Sequence, residues 1–176
     1  MNKKGYILIV SLIFMAIMSM LAIYMFGGFI MDETLSGNHR EKSRSLDAAL
    51  TALDYADNWL AQPGRAYSGN WVTGTTCSGV NSAPVICSNA LANPVVLPWP
   101  SYTNFTPTGM SISATGGVGT YAASPNYYIQ YLGQGANPSI ALYQVTAAAQ
   151  GGNATATTVV QAVYQVTATS VDIGGG

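Results

Sequence analysis

From Tyr6 to Met31 the chain runs YILIVSLIFMAIMSMLAIYMFGGFIM, 26 residues without a charge. A helix needs about 20 apolar residues to cross the hydrocarbon core of a bilayer, so residues 6–31 are long enough to span one. Lys3 and Lys4 stand directly before the run and Asp32 and Glu33 directly after it. Basic flanks stay on the cytoplasmic side, which predicts a cytoplasmic N-terminus and export of everything that follows. A secretory signal peptide is the alternative. Its apolar region is typically about 7–15 residues and ends in an A-x-A-like cleavage site, and neither condition is met.

The helical period continues past the span. Leu46, Leu50, Leu53 and Leu60 recur at spacings of 4, 3 and 7, with Ala49 and Ala56 on the same stripe and Asp47, Asp54 and Asp57 off it. Those four leucines are the predicted contact with the rest of the protein. Pro63-Gly64 ends the helix, since proline cannot continue the hydrogen-bond ladder. One helix over residues 6–62 would be about 85 Å long at about 1.5 Å per residue. No globular domain of this size buries such a rod, so its first half is expected to pack against similar helices of other subunits. Gly27-Gly28 is the expected weak point of the span, each glycine costing about 1 kcal/mol against alanine. Close helix packing through small residues is the other reading of that pair.

Charge is scarce: 6 Lys or Arg and 7 Asp or Glu in 176 residues, 7% where an ordinary domain has about a quarter. Residues 66–171 carry none. Nucleic-acid binding rests on phosphate neutralisation, so nucleic acid is not an expected partner. The abundant Tyr, Val and Thr argue against disorder. Three strands are predicted, Tyr127–Leu132, Ile140–Ala148 and Thr157–Thr169, joined by turns over 133–138 and 150–153 into an antiparallel meander lying on the leucine stripe. Met110–Ala114 is a further candidate strand.

Cys77 and Cys87 are the only cysteines. In an oxidising compartment they are expected to form a disulfide worth about 3 kcal/mol, with two free thiols as the alternative. Two thiols and the distant His39 do not make a four-ligand metal site. Residues 65–125, with Trp71, Trp99, Pro94, Pro98, Pro100 and Pro107 but little periodicity, form a loop-rich insertion; such segments often carry function.

Catalysis would need a nucleophile with its base, a carboxylate pair or a metal set. The head, residues 63–176, offers one acid, Asp172, and no His, Lys or Glu. His39, among Arg40, Glu41, Lys42 and Arg44, reads as a solvated face or a subunit contact. Gly116-Gly117-Val118-Gly119 lacks the Lys-Ser/Thr of a phosphate loop and reads as a turn. Neither an enzyme nor a cofactor is expected. A membrane-tethered periplasmic binding module is a rival, with Trp71, Trp99, Tyr102, Tyr121 or Tyr128 as platforms on which a carbohydrate stacks.

The leader MNKKG, with Gly5 between the lysines and the run beginning Tyr6-Ile7-Leu8-Ile9-Val10, resembles that of a type IV prepilin. The resemblance implies a leader over residues 1–5, cleavage between Gly5 and Tyr6 by a prepilin peptidase, and N-methylation of Tyr6. Ser36-Gly37-Asn38-His39-Arg40-Glu41-Lys42, followed by Ser45-Leu46-Asp47-Ala48-Ala49-Leu50-Thr51-Ala52-Leu53, is similar to the PilX-type minor pilins. They show a like Gly-Asn-x-Arg stretch and an Ala-Ala-x-x-Ala-Leu run. The match departs at Asp47 and at Leu50-Thr51, where the family usually has an acid after its alanine pair. Tyr143-Gln144-Val145-Thr146-Ala147, Gln150-Gly151-Gly152 and Val159-Val160-Gln161-Ala162-Val163-Tyr164 are similar to the family's closing strands, with Gln144 in place of the usual Arg. The likeness covers about residues 1–62 and 126–166.

It implies an α+β, type IV pilin-like fold: a long helix over 6–62 whose outer half packs on an antiparallel sheet, and a head over 63–176. It also implies a structural subunit held in the inner membrane with a periplasmic head, later part of a surface pilus, with other minor pilins and the major pilin as partners. Major pilins carry glutamate at the fifth mature position, where this chain has Val10. An acid near the centre of a span costs roughly 2.5–3.5 kcal/mol and persists only with a partner. In pilins that partner is the ammonium terminus of the subunit assembled before. Val10 offers no such pairing, which suits a subunit without a predecessor, in an initiation or tip complex. A minor pseudopilin of a type II secretion system is the nearest alternative.

Overall fold

The computed structural model describes residues 4–117 and 119–168; Thr169 and Asp172, which figure in the expectations above, lie outside the described residues. The chain divides into two units, Met1–Arg40 and Glu41–Gly176. One helix, α1, runs Lys4–Leu60 and continues through Gly27-Gly28.

Within the first unit the large side chains from Tyr6 to Phe26 are exposed. The most apolar stretch has a mean hydropathy of 2.6 and no buried part, so by length and composition this helix can cross a membrane. A helix satisfies its own backbone groups, the requirement lipid imposes. The hydroxyls of Ser11 and Ser19 are satisfied too, donating to the carbonyls of Leu8 at 2.9 Å and Met15 at 2.8 Å.

The helix stops at Leu60, two residues short of the expected Gln62. Pro63 disfavours the α conformation at the residue before it, so the last turn closes early. The Ala61 amide still donates to the Asp57 carbonyl at 2.9 Å, and Gln62 then turns back on Trp59 at 3.2 Å.

Among the described residues six strands follow: β1 Gly79–Asn81, β2 Ile86–Cys87, β3 Ser101–Asn104, β4 Asn126–Gln134, β5 Ile140–Gln150 and β6 Thr157–Thr167. They form one sheet in the order β1-β3-β4-β5-β6, with β2 also on β4. The three long strands form the expected antiparallel meander. The whole sheet, however, is mixed, because β1 pairs with β3 and β2 with β4 in parallel. The loop-rich insertion is therefore part of the sheet. Met110–Ala114 forms no strand, only a bridge from Ile112 to Tyr121. Gly109 and Gly116, both at φ 84°, turn the chain on either side of it and leave no room for a ladder.

The expected leucine stripe needs correction. Leu53 and Leu60 are buried, but Leu46 and Leu50 stay about 40% exposed. The buried helix face is made of Ser45, Ala48, Ala49, Ala52, Leu53, Ala56 and Leu60. Small residues at 45, 49, 52 and 56 let the helix approach closely, while Tyr127, Ile129, Tyr143 and Val145 on the sheet supply the volume. Leu46 and Leu50 lie one residue on from that row, about 100° around the helix. The outer face of the sheet is covered by a second core of Cys77, Cys87, Trp99, Tyr128 and Ala148. The fold is thus the implied α+β plan, with the insertion as a third layer.

Candidate functional site

Near the start of the second unit, the helix grips the β5–β6 turn with charged side chains. Arg44 Nη1 lies 3.0 Å from Glu41 Oε1, and Glu41 Oε2 accepts the amide of Gly152. Arg44 Nη2 donates to the Thr120 carbonyl at 2.6 Å, and its guanidinium sits 4.6 Å above the Tyr121 ring. Lys42 Nζ donates to the Thr157 carbonyl, and Ser45 Oγ meets Thr158 Oγ1 at 2.5 Å. A Cβ on Gly151 would stand 2.7 Å from the Glu41 carbonyl oxygen, so only glycine fits this close approach without movement. Two sequence segments more than a hundred residues apart, Glu41–Ser45 and Gln150–Gly152, thereby form one clasp. His39, read beside it as a solvated or contact residue, is exposed.

The second constellation holds the insertion. Cys77 and Cys87 form the expected disulfide. The Asn89 side chain accepts the Cys77 amide at 2.8 Å and donates to the Cys77 carbonyl at 3.2 Å. Tyr128 donates its hydroxyl to the Asn89 carbonyl at 2.7 Å, and Trp99 donates Nε1 to the Pro94 carbonyl at 2.9 Å. Trp99 and Tyr128 are each only 3% exposed, so both are core residues and cannot act as platforms. Tyr121 is occupied by Arg44. Tyr102, half-buried, lines a cavity of about 210 Å³ with Leu97, Pro98 and Asn126.

Trp71 differs. It is half-buried beside a depression of about 270 Å³. Tyr67, missed in the sequence reading, brings its ring to 4.8 Å from that of Trp71, at 59°. The signal was a turn: Ser68-Gly69-Asn70 between two aromatics, with Gly69 at φ 89°, is a tight-hairpin pattern. The Tyr143 hydroxyl lies 2.9 Å from the Ala66 carbonyl and 3.1 Å from that of Val72, spanning the base of this hairpin. Burial, with a smaller contribution from Tyr131, pushes that hydroxyl up to about 12. It stays protonated and donates at any ordinary pH.

Gly5 and Tyr6 lie in the first turns of α1, and Val10 is 42% exposed one turn on. The family model for type IV pilus assembly protein PilX, C-terminal part, matches residues 57–166. The match runs from the end of α1 through β6 and includes residues 63–125, which the motif likeness left uncovered. Comparisons with curated proteins and with solved structures returned no match.

Proposed function

The chain belongs to the PilX family of type IV pilus assembly proteins, and from this premise we propose that it is a minor pilin of the complex that primes the filament and remains at its tip. Val10 carries the reading. It stands where a shaft subunit needs an acid to meet the ammonium terminus of the subunit before it, and a valine makes no such pair. The exposed apolar surface from Tyr6 to Phe26 supports the same scheme, since it demands lipid before assembly and neighbouring helices afterwards.

In this scheme the prepilin peptidase cuts between Gly5 and Tyr6, Tyr6 becomes the methylated terminus, and the head waits on the periplasmic side of the inner membrane. The partners are other minor pilins and, below them, the major pilin. The subunit works by packing and needs no catalytic group or cofactor.

Val10→Glu, expressed from the native locus, tests the proposal. Pilus initiation should fall, or the subunit should enter the shaft in greater numbers, read as piliation and as its ratio to the major pilin in sheared filaments. Unchanged piliation with an unchanged ratio would refute the tip assignment. Mass spectrometry of the envelope protein checks its premise: a methylated Tyr6 terminus is expected, and an intact Met1 would mark a tethered module instead.

A further inference from the structure

We infer that the depression bounded by Tyr67, Asn70, Trp71, Gln134 and Ser139 is a binding site for a single neutral sugar unit. The inference does not rest on the tip assignment, because Val10→Glu leaves these residues untouched.

The site is assembled from separate stretches of chain. The 67–71 hairpin supplies the aromatic pair, the end of β4 supplies Gln134, the β4–β5 connection supplies Pro138 and Ser139, and Ala168 follows β6. Tertiary hydrogen bonds hold these stretches in place. Trp71 Nε1 donates to the Pro138 carbonyl at 2.9 Å, the Ala168 amide to the Ser139 carbonyl at 2.8 Å, and the Gly135 amide to the Ile140 carbonyl at 2.9 Å. Tyr143 fixes the hairpin from below. A preformed site loses less entropy when a ligand arrives.

The chemistry of the lining selects the class of ligand. Tyr67 and Trp71 offer aromatic surface for the C–H faces of a pyranose. The side-chain amides of Asn70 and Gln134 and the Ser139 hydroxyl offer neutral donors and acceptors for ring hydroxyls. Among the described residues no charged side chain lines the depression. Arg65, the nearest in sequence, is held 5.3 Å above the Trp59 ring. Acidic or cationic sugars therefore find no counter-charge among these lining residues. At about 270 Å³ the site falls just below the usual range of about 300–1,000 Å³ for small-molecule pockets, which fits one pyranose. So small and open a contact gives a Kd of about 1 mM.

The test uses the full chain in a detergent without a sugar headgroup. Glucose, galactose, mannose, N-acetylglucosamine and N-acetylgalactosamine are titrated separately, with tryptophan fluorescence and saturation-transfer NMR as readouts. N-acetylneuraminic acid and glucosamine serve as charged controls. At least one neutral sugar should bind saturably at millimolar concentration while both charged controls do not. Trp71→Ala should abolish the signal. Because Trp71 also touches the core, Asn70→Ala and Gln134→Ala, at exposed positions, are the deciding variants. Each should weaken binding at least fivefold with circular dichroism unchanged. Absence of saturable binding by every neutral sugar, binding indifferent to Asn70→Ala and Gln134→Ala, or equal binding of the charged controls would overturn the assignment.

Discussion

Leu60→Ala and Leu50→Ala make the same chemical change on the same helix, and the burial of the two side chains separates their costs. Leu60 is 1% exposed and packed in the core that contains Ala66, Tyr127 and Tyr143. Removing a fully buried leucine to alanine costs about 2–5 kcal/mol, the transfer of the lost carbons plus the cavity they leave. Leu50 is 41% exposed and leaves no enclosed cavity, so its loss costs below about 1 kcal/mol. Alanine's slightly better helix propensity offsets part of that. The assay is urea unfolding of the full chain in micelles, followed by tryptophan fluorescence. All 3 tryptophans, Trp59, Trp71 and Trp99, lie in Glu41–Gly176, so the signal reports that unit alone. With a urea slope near 2 kcal/mol/M, Leu60→Ala should lower the midpoint by about 1–2.5 M and Leu50→Ala by less than about 0.5 M. Equal shifts, or a larger one at Leu50, would refute the alanine-faced packing and restore the leucine stripe.

Cys77→Ser should destabilise the same unit by about 3 kcal/mol, from loop-closure entropy over a separation of 10 residues, and the midpoint of the wild type under reductant should move as far. Alkaline titration probes Tyr143. Its hydroxyl is raised from 10.0 to about 12 in the fold, so the unfolded chain loses the proton first. The stabilisation is complete below pH 10 and lost as pH rises through about 12, and Tyr143→Phe should flatten that part of the stability curve.

The long elements were legible because each repeats its signal many times. An uncharged run marks the span, runs of Tyr, Ile, Leu and Val bounded by Gly, Pro and Asn turns mark β4 and β5, and alternation marks β6. What escaped depended on partners distant in sequence. A hydrophobic stripe ranks leucine above alanine, but the helix approaches a sheet bearing Tyr127 and Tyr143, and there small residues pack best. β1 and β2, at 3 and 2 residues, are too short for any pattern, and their parallel pairing follows from where the disulfide-tied loop returns to the sheet. The charges around His39 read as a solvated face or a subunit contact, because the partners of Glu41 and Arg44 include the backbone at Gly152 and Thr120, and a backbone group leaves no trace in composition. Of the five aromatics nominated as platforms, composition could not separate the buried Trp99 and Tyr128 from Trp71 at the surface.

Between Ala66 and Val171 there is no Asp, Glu, Lys, Arg or His, so the sheet and the layer that covers its outer face project almost no long-range field. A molecule approaching from that side is not steered. Its capture proceeds at the unassisted pace of about 10⁵–10⁶ M⁻¹s⁻¹ and is nearly indifferent to ionic strength. Discrimination on this surface therefore happens only at touching distance, through shape, ring faces and hydroxyl geometry.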